Sequence, residues 1–169
     1  MTHVFAFSSP IIDYHALAPE LVLAAGICTV LLVDLFVPDS RRWITGTLSG
    51  FFMLAALLPV VTLAVLGDDV RSALSGEGIT GRYVVDNFAL VMKGVFLLSG
   101  YIVVLLSMNY IGEGDYWEHE YYELLLCSVL GMTIMASSRD LISMFIALEL
   151  LSIPAYMLAA WRKRDLKSD

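Results

Sequence analysis

Residues 141–161 read LISMFIALELLSIPAYMLAAW, an apolar run that a single carboxylate, Glu149, interrupts. A helix needs about 20 mainly apolar residues to cross a bilayer, so this run predicts a membrane-spanning helix. An ionised carboxylate inside such a helix costs at least about 2.5 kcal/mol, and intramembrane ionisable residues are by default candidates for functional sites. Glu149 is therefore the leading candidate for a functional residue, in a membrane protein that moves charge.

The composition of the chain also indicates a membrane protein. Of its 169 residues, 59% are hydrophobic and the mean hydropathy is +0.78, whereas soluble domains are about 45 to 50% apolar. The net charge is −7, and without a cluster of Lys and Arg we expect no nucleic-acid partner. Cys28 and Cys127 both fall in apolar segments, so we expect no disulfide framework and no redox or metal role.

Five apolar segments approach the length of a spanning helix, which predicts an all-α, polytopic transmembrane helical bundle forming one membrane domain over residues 1–169. The predicted spans are about 19–37, 43–66, 88–108, 121–138 and 141–161. Most basic residues follow the first and fifth spans, which predicts an external N-terminus and a cytoplasmic C-terminal tail. Those residues are Arg41, Arg42, Arg162, Lys163, Arg164 and Lys167. We then expect an external loop over 67–87 and a cytoplasmic loop over 109–120.

Glu149 lies about 12 and 18 Å from the two ends of its predicted span, so its short side chain cannot reach either surface. Ser152 and Tyr156 fall on the same helix face, and we expect this polar strip to pack against other helices. Pro154 lacks an N–H, so the carbonyl of Leu150 loses its usual bond and a kink or bound water is expected there. The plainer alternative is a structural glutamate, hydrogen-bonded between helices.

Two other features favour plainer interpretations. Lys93 lies about 7.5 Å inside the third predicted helix, and we expect its stem to carry the ammonium group back to the membrane surface. Residues 76–81 read GEGITG and match the pattern of a dinucleotide-binding loop. They lie between two predicted membrane helices rather than between a strand and a helix, which favours a turn-rich external loop.

Three stretches read VDNFA at 85–89, HEYYELL at 119–125 and SRDLISMFIALELLSIP at 138–154. Together they resemble the antiporter-like membrane subunits of respiratory complex I, NADH:quinone oxidoreductase. The Leu-Glu-Leu-Leu-Ser sequence around Glu149 is similar throughout this group, and the Ser-Ile-Pro continuation favours subunit N. The resemblance runs in register from residue 85 to the end, while the first two segments match only in length and hydropathy.

The resemblance implies a fold, a function and partners. Members of the group have about fourteen spanning helices with inverted repeats, which implies that this chain is the N-terminal part of a longer protein. They translocate protons in the membrane arm of the complex, coupled to quinone reduction, and hold no cofactor or redox site of their own. NADH, FMN, the iron–sulfur clusters and quinone belong to other subunits. The implied partners are neighbouring membrane-arm subunits and the lipid bilayer of the cell inner (plasma) membrane.

The resemblance also implies that Glu149 takes part in proton translocation by pairing with a lysine on a later, broken helix, with Ser152, Pro154 and Tyr156 as its supporting face. Separating opposite charges that lie within about 4 to 6 Å changes how tightly each group holds its proton. Two alternatives remain open. One is a subunit of a multisubunit cation/proton antiporter, which shares the region around Glu149. The other is a membrane scaffold without transport, in which Glu149 only secures helix packing.

Overall fold

The computed structural model describes residues 11–36, 43–66, 70–75, 81–112 and 118–160 of the chain. Their backbone is mainly helical, which confirms the predicted all-α helical bundle. The helices are α1 Ala18–Asp34, α2 Trp43–Leu66, α3 Asn87–Gly112, α4 Glu118–Ser137 and α5 Leu141–Ala159. Each helix end lies within about four residues of the predicted span.

Three of the described helices are long and apolar enough to cross a membrane: α2, α3 over Asn87–Met108, and α5. That α1 and α4 also cross it stays a prediction, because α1 has 17 residues and α4 begins with charged residues. The basic residues that predict the orientation, at 41–42 and 161–169, lie outside the described residues, as do residues 76–80 of the glycine-rich sequence. The orientation therefore stays a prediction.

The first four helices surround a common apolar core. α1 packs on α2, α2 on α3 and α3 on α4, and α4 returns to contact α1. Buried aliphatic side chains from all four helices fill the space between them: Leu23, Val30, Met53, Val60, Leu97, Val104, Leu126 and Val129. α5 packs chiefly on α4, so one side of α5 faces the bundle and the other side is left uncovered by the described helices.

The contact between α4 and α5 depends on a glycine. A Cβ atom at Gly131 would lie 2.6 Å from the backbone nitrogen of Leu151 and 3.0 Å from the carbonyl oxygen of Ala147. Both are backbone atoms of α5, so no side-chain rotation would relieve the clash. Gly131 therefore sets how closely α5 approaches the bundle.

Short extended segments pair near the ends of the helices, and three of the four described ones lie within residues 67–87, where the sequence predicted only a loop. β1 (Ile11–Ile12) pairs antiparallel with β3 (Leu74–Ser75), and β2 (Val70–Ser72) pairs antiparallel with β4 (Val84–Asp86). Tyr83 forms an isolated β-bridge with Ser138, in the connection between α4 and α5. The segment that precedes α3 is thereby tied to the turn that precedes α5.

Two aspartates fix the starts of α3 and α5. Asp86 accepts a hydrogen bond from the Ala89 N–H (2.8 Å) and forms an ion pair with Arg139, whose own N–H donates to the carbonyl of Arg82 (2.8 Å). Asp140 is the N-cap of α5 and accepts from the Ser143 N–H (3.3 Å), and hydrogen bonds from Ser143 lower its pKa. Capping of this kind satisfies backbone donors that the first helical turn leaves unpaired.

We predict that Gly131→Ala lowers the free energy of unfolding of the chain in detergent micelles by about 1 to 3 kcal/mol, because the added methyl group overpacks the contact between α4 and α5. Gly94→Ala is the matched control, since nothing lies within 4 Å of its added Cβ and alanine favours a helix over glycine. Equal effects of the two substitutions on unfolding would contradict this role of Gly131.

Candidate functional site

Glu149 occupies the middle of α5 and is half-buried. It lies two residues from the fully buried Ala147, about 200° around the helix at 3.6 residues per turn. Because Ala147 marks the side of α5 that meets α4, the Glu149 side chain leaves the helix on the side away from α4. Within the part of the chain that the structure describes, its carboxylate has no hydrogen-bond or ion-pair partner.

The polar strip predicted beside Glu149 lies on an open surface of the described bundle. Tyr156 is 71% exposed, and the apolar Ile142 and Phe145 on the same side are also exposed. The Ser152 hydroxyl donates to the carbonyl of Leu148 in its own helix. No described helix covers this strip, so its packing against other helices stays a prediction about segments beyond the described residues.

Pro154 does not share the face of Glu149, so its assignment to the supporting polar face is wrong. It is buried, on the side of α5 where Ala147 also lies. The Ser128 hydroxyl of α4 donates to the carbonyl of Leu151 (3.4 Å), one residue after the carbonyl that Pro154 leaves without its usual partner. α5 continues through Pro154 as a helix. The proline therefore contributes to the contact with α4 rather than to the surroundings of Glu149.

Lys93 does not extend to the membrane surface, and that prediction is wrong. Its side chain is fully buried, and its Nζ lies 2.8 Å from Oε1 of Glu20. Nζ also donates a hydrogen bond to the Tyr83 hydroxyl (3.4 Å) and lies 5.2 Å from the centre of the Tyr83 ring. A buried carboxylate and an aromatic face stabilise the positive charge of the ammonium group inside the protein, so the side chain does not need to extend to water.

The ion pair between Glu20 and Lys93 crosses the interior of the bundle. Glu20 is the third residue of α1 and Lys93 the seventh of α3, and these helices make at most a weak direct contact. The long Lys93 stem therefore bridges a gap that shorter side chains would leave open. The sequence carried no local signal for this pair, since Glu20 and Lys93 lie 73 residues apart on different helices and only the packing of the bundle brings them together.

Tyr83 completes this cluster from the segment before α3. Burial raises the pKa of its hydroxyl, as does the neighbouring Glu20 carboxylate, while the Ser137 hydroxyl lowers it. Tyr83 therefore stays neutral. We call Glu20, Lys93 and Tyr83 the buried charge cluster. In the described ranges no group of three His, Cys, Asp or Glu side chains is arranged to hold a metal ion.

The fold and these groups define a class of protein: a multi-pass helical membrane protein that keeps ionisable side chains within its helices. No family model matches the chain. Several curated proteins match it, however, and each is called NADH-quinone oxidoreductase subunit N, some with the suffix 1 or 2. The protein from Thioalkalivibrio sulfidiphilus is 34% identical over 156 residues, which cover 92% of this chain and 31% of that relative.

Two further relatives agree. The protein from Chloroflexus aggregans is 35% identical over 95% of this chain and 31% of its own length. A protein from Koribacter versatilis, subunit N 2, is 34% identical over 97% of this chain and 33% of its own length. The chain is therefore homologous to NADH-quinone oxidoreductase subunit N, and the resemblance found in the sequence is confirmed. It spans about a third of the length of these relatives.

We predict that Glu20→Gln and Lys93→Met, each made alone, lower the free energy of unfolding by about 3 to 5 kcal/mol, because each leaves a buried charge without its partner. The double substitution leaves neither charge and is expected to cost less than either single one. Unfolding measurements in detergent micelles on all three variants check this. A double variant that loses the sum of the two single losses would show that the charges are not coupled.

Proposed function

We propose that this chain is part of a proton-translocating membrane subunit of NADH-quinone oxidoreductase, and that Glu149 exchanges protons during transport. Homology to subunit N supports membership of this complex, and the position of Glu149 in α5 supports its role in proton exchange. The observation that carries the proposal is a half-buried carboxylate in the middle of a spanning helix, without a partner among the described residues.

The depth of Glu149 limits what can neutralise it. It is the ninth residue of α5, so it lies about 12 Å from one helix end and about 15 Å from the other at 1.5 Å per residue. A bare carboxylate at this depth is too costly to persist in hydrocarbon. Either a cation from a further helix or a proton must compensate its charge. Its placement on the side of α5 away from α4 leaves room for such a helix.

Proton exchange follows from competition between these two ways of compensating the charge. While a lysine ammonium stands beside Glu149, the carboxylate stays ionised; when the ammonium withdraws, the carboxylate binds a proton instead. We propose that the lysine lies on a later helix of the full-length protein. Repeating the approach and withdrawal of this lysine would load and unload one proton at Oε1 or Oε2.

The finer assignments belong to the same proposal. The chain would act as a translocase subunit without a redox site of its own, beside neighbouring membrane-arm subunits. NADH, FMN, the iron–sulfur clusters and quinone would bind to other subunits. We place it in the inner (plasma) membrane of the cell, with an external N-terminus and a cytoplasmic C-terminal tail, because most basic residues follow α1 and α5.

The two alternative functions receive less support. A scaffold would use Glu149 to secure helix packing, yet α5 packs through Ala147 and Pro154, and Glu149 lies on the other side. A cation/proton antiporter would share the same helix sequence, but the relatives described above are all named as subunits of a quinone oxidoreductase. Transport that depends on sodium would favour the antiporter.

We predict that Glu149→Gln in the full-length protein leaves the complex assembled and NADH oxidation largely intact. It should lower proton pumping by about tenfold or more, because a positioned proton-transfer group contributes roughly 10²- to 10⁴-fold to the step it serves. Proton uptake into inverted membrane vesicles, driven by NADH, measures the effect. Glu120→Gln is the matched control, since Glu120 is exposed in the first turn of α4.

Normal pumping by assembled Glu149→Gln complexes would contradict the proposal and favour the scaffold. Loss of assembly alone would also count against it, because glutamine keeps the size and hydrogen-bonding capacity of glutamate and is expected to be tolerated in the fold. Sodium-dependent transport without any association with a quinone oxidoreductase would replace the proposal by the antiporter.

A further inference from the structure

We propose that the buried charge cluster is a second proton-exchange site, separate from Glu149. This inference rests on the proposed function in one respect, because it assumes that the chain serves proton transport. The cluster lies inside the four-helix part of the bundle, where α1 and α3 begin. Glu149 lies on α5, outside that part and on the side away from α4.

Burial separates this cluster from an ordinary structural ion pair. Lys93 is fully buried and Glu20 is 7% exposed, and both carboxylate oxygens of Glu20 are shielded from solvent. Apolar residues of similar size commonly hold helices together as well as a buried ion pair does, or better. Fold stability alone therefore does not account for this pair. Ionisable groups at such positions are candidates for proton or ion handling.

The geometry gives the ammonium group of Lys93 two neighbours between which it can be shared. One is the Glu20 carboxylate at 2.8 Å; the other is Tyr83, through its hydroxyl at 3.4 Å and its ring face. The Lys93 stem is flexible, and Tyr83 stabilises the ammonium without forming an ion pair. A small movement of Nζ away from Glu20, with its contact to Tyr83 kept, therefore leaves Lys93 charged and stabilised but leaves the buried carboxylate without its counter-charge.

That movement defines the proton step. When Nζ has moved away from Glu20 and contacts only Tyr83, the Glu20 carboxylate binds a proton. An O–H bond forms at Oε1, and the cluster gains one positive charge. When Nζ returns, the ammonium displaces the proton, the O–H bond breaks and the proton leaves. No electron or covalent partner is required. Tyr83 stays neutral throughout, so it acts as a positioning residue that holds the ammonium in its second location.

The groups around the buried charge cluster indicate a site that is shielded from solvent. Ser137 is buried beside Tyr83 and carries no charge. Another ion pair of the described residues joins Asp86 and Arg139, whose side chains are 22% and 52% exposed. Asp86 of that pair caps α3, and the ion pair links the connection before α3 to the connection before α5. It serves as a structural reference for the buried charge cluster.

The test uses the assembled full-length complex with the double substitution Glu20→Gln/Lys93→Met, which removes both charges and avoids an unpaired one. We expect assembly and NADH oxidation close to those of the unmodified complex, and proton pumping lowered at least about fivefold, above the loss in the control. The control is the double substitution Asp86→Asn/Arg139→Gln, which removes the structural ion pair from the same end of the bundle.

A direct measurement of protonation accompanies the pumping assay. Infrared difference spectra recorded on adding NADH report the carbonyl stretch of a carboxylic acid that gains or loses a proton. We expect a band that is absent from the Glu20→Gln/Lys93→Met complex and present in the control. Tyr83→Phe, which keeps the ion pair and the ring, should retain the band but lower pumping by a smaller factor.

The proposal requires both results, a lost band and lowered pumping, in an assembled double variant. Normal pumping, an unchanged band, equal losses in the control, or failure of the double variant to assemble each overturn it. The Glu149→Gln variant distinguishes failure of this second site from failure of the proposed function. If Glu149→Gln abolishes pumping while the cluster variant pumps normally, only the second site fails. If neither substitution affects pumping, the proton-transport function itself fails.

Discussion

The cost of placing charge in an apolar environment constrains every part of this structure. A helix that packs among other helices or against lipid tolerates an ionisable side chain only if another charge, a hydrogen-bond network or a proton compensates it. The chain meets this requirement inside its four-helix core by pairing Lys93 with Glu20. It does not meet it at Glu149 within the described residues. That difference supports the proposal that further helices pack against the outer side of α5.

The connections at one end of the bundle link the start of α3 to the start of α5. The segment before α3 supplies Tyr83 to the buried charge cluster, and the same residue bridges to Ser138 before α5. Asp86 caps α3 and pairs with Arg139, and Asp140 caps α5. A shift of α3 relative to α4 would therefore also displace the start of α5. The sequence stretches at 85–89 and 138–154 that resemble the family thus include residues in contact with one another.

The helices were predictable because their signal is local. Long apolar segments are read from consecutive residues, and their limits lie within about four residues of the observed helix ends. The prediction for Lys93 was wrong because the depth of a lysine in its own helix does not reveal whether a carboxylate lies on another helix across the bundle. Glu20 lies 73 residues away in sequence, and only the packing of four helices brings the two together.

The position of Pro154 and the short paired segments were missed for related reasons. Helical spacing places Ser152 and Tyr156 near Glu149, but Pro154 lies about 140° away from that face, nearer the side that meets α4. The segments β2 and β4 are three residues each and join parts of the chain on either side of a glycine-rich sequence. Such short pairings carry little pattern of their own, and the helices that they connect determine whether they form.

The central claim is that Glu149 finds its counter-charge on a helix that packs against the outer side of α5. A high-resolution structure of the proposed assembly, an NADH-quinone oxidoreductase with this chain in its membrane subunit, tests it most directly. The account predicts a lysine ammonium, or a water chain that leads to one, within about 4 Å of the Glu149 carboxylate. A carboxylate that faces lipid or bulk water, with no cation or hydrogen-bonded group beside it, would contradict the account.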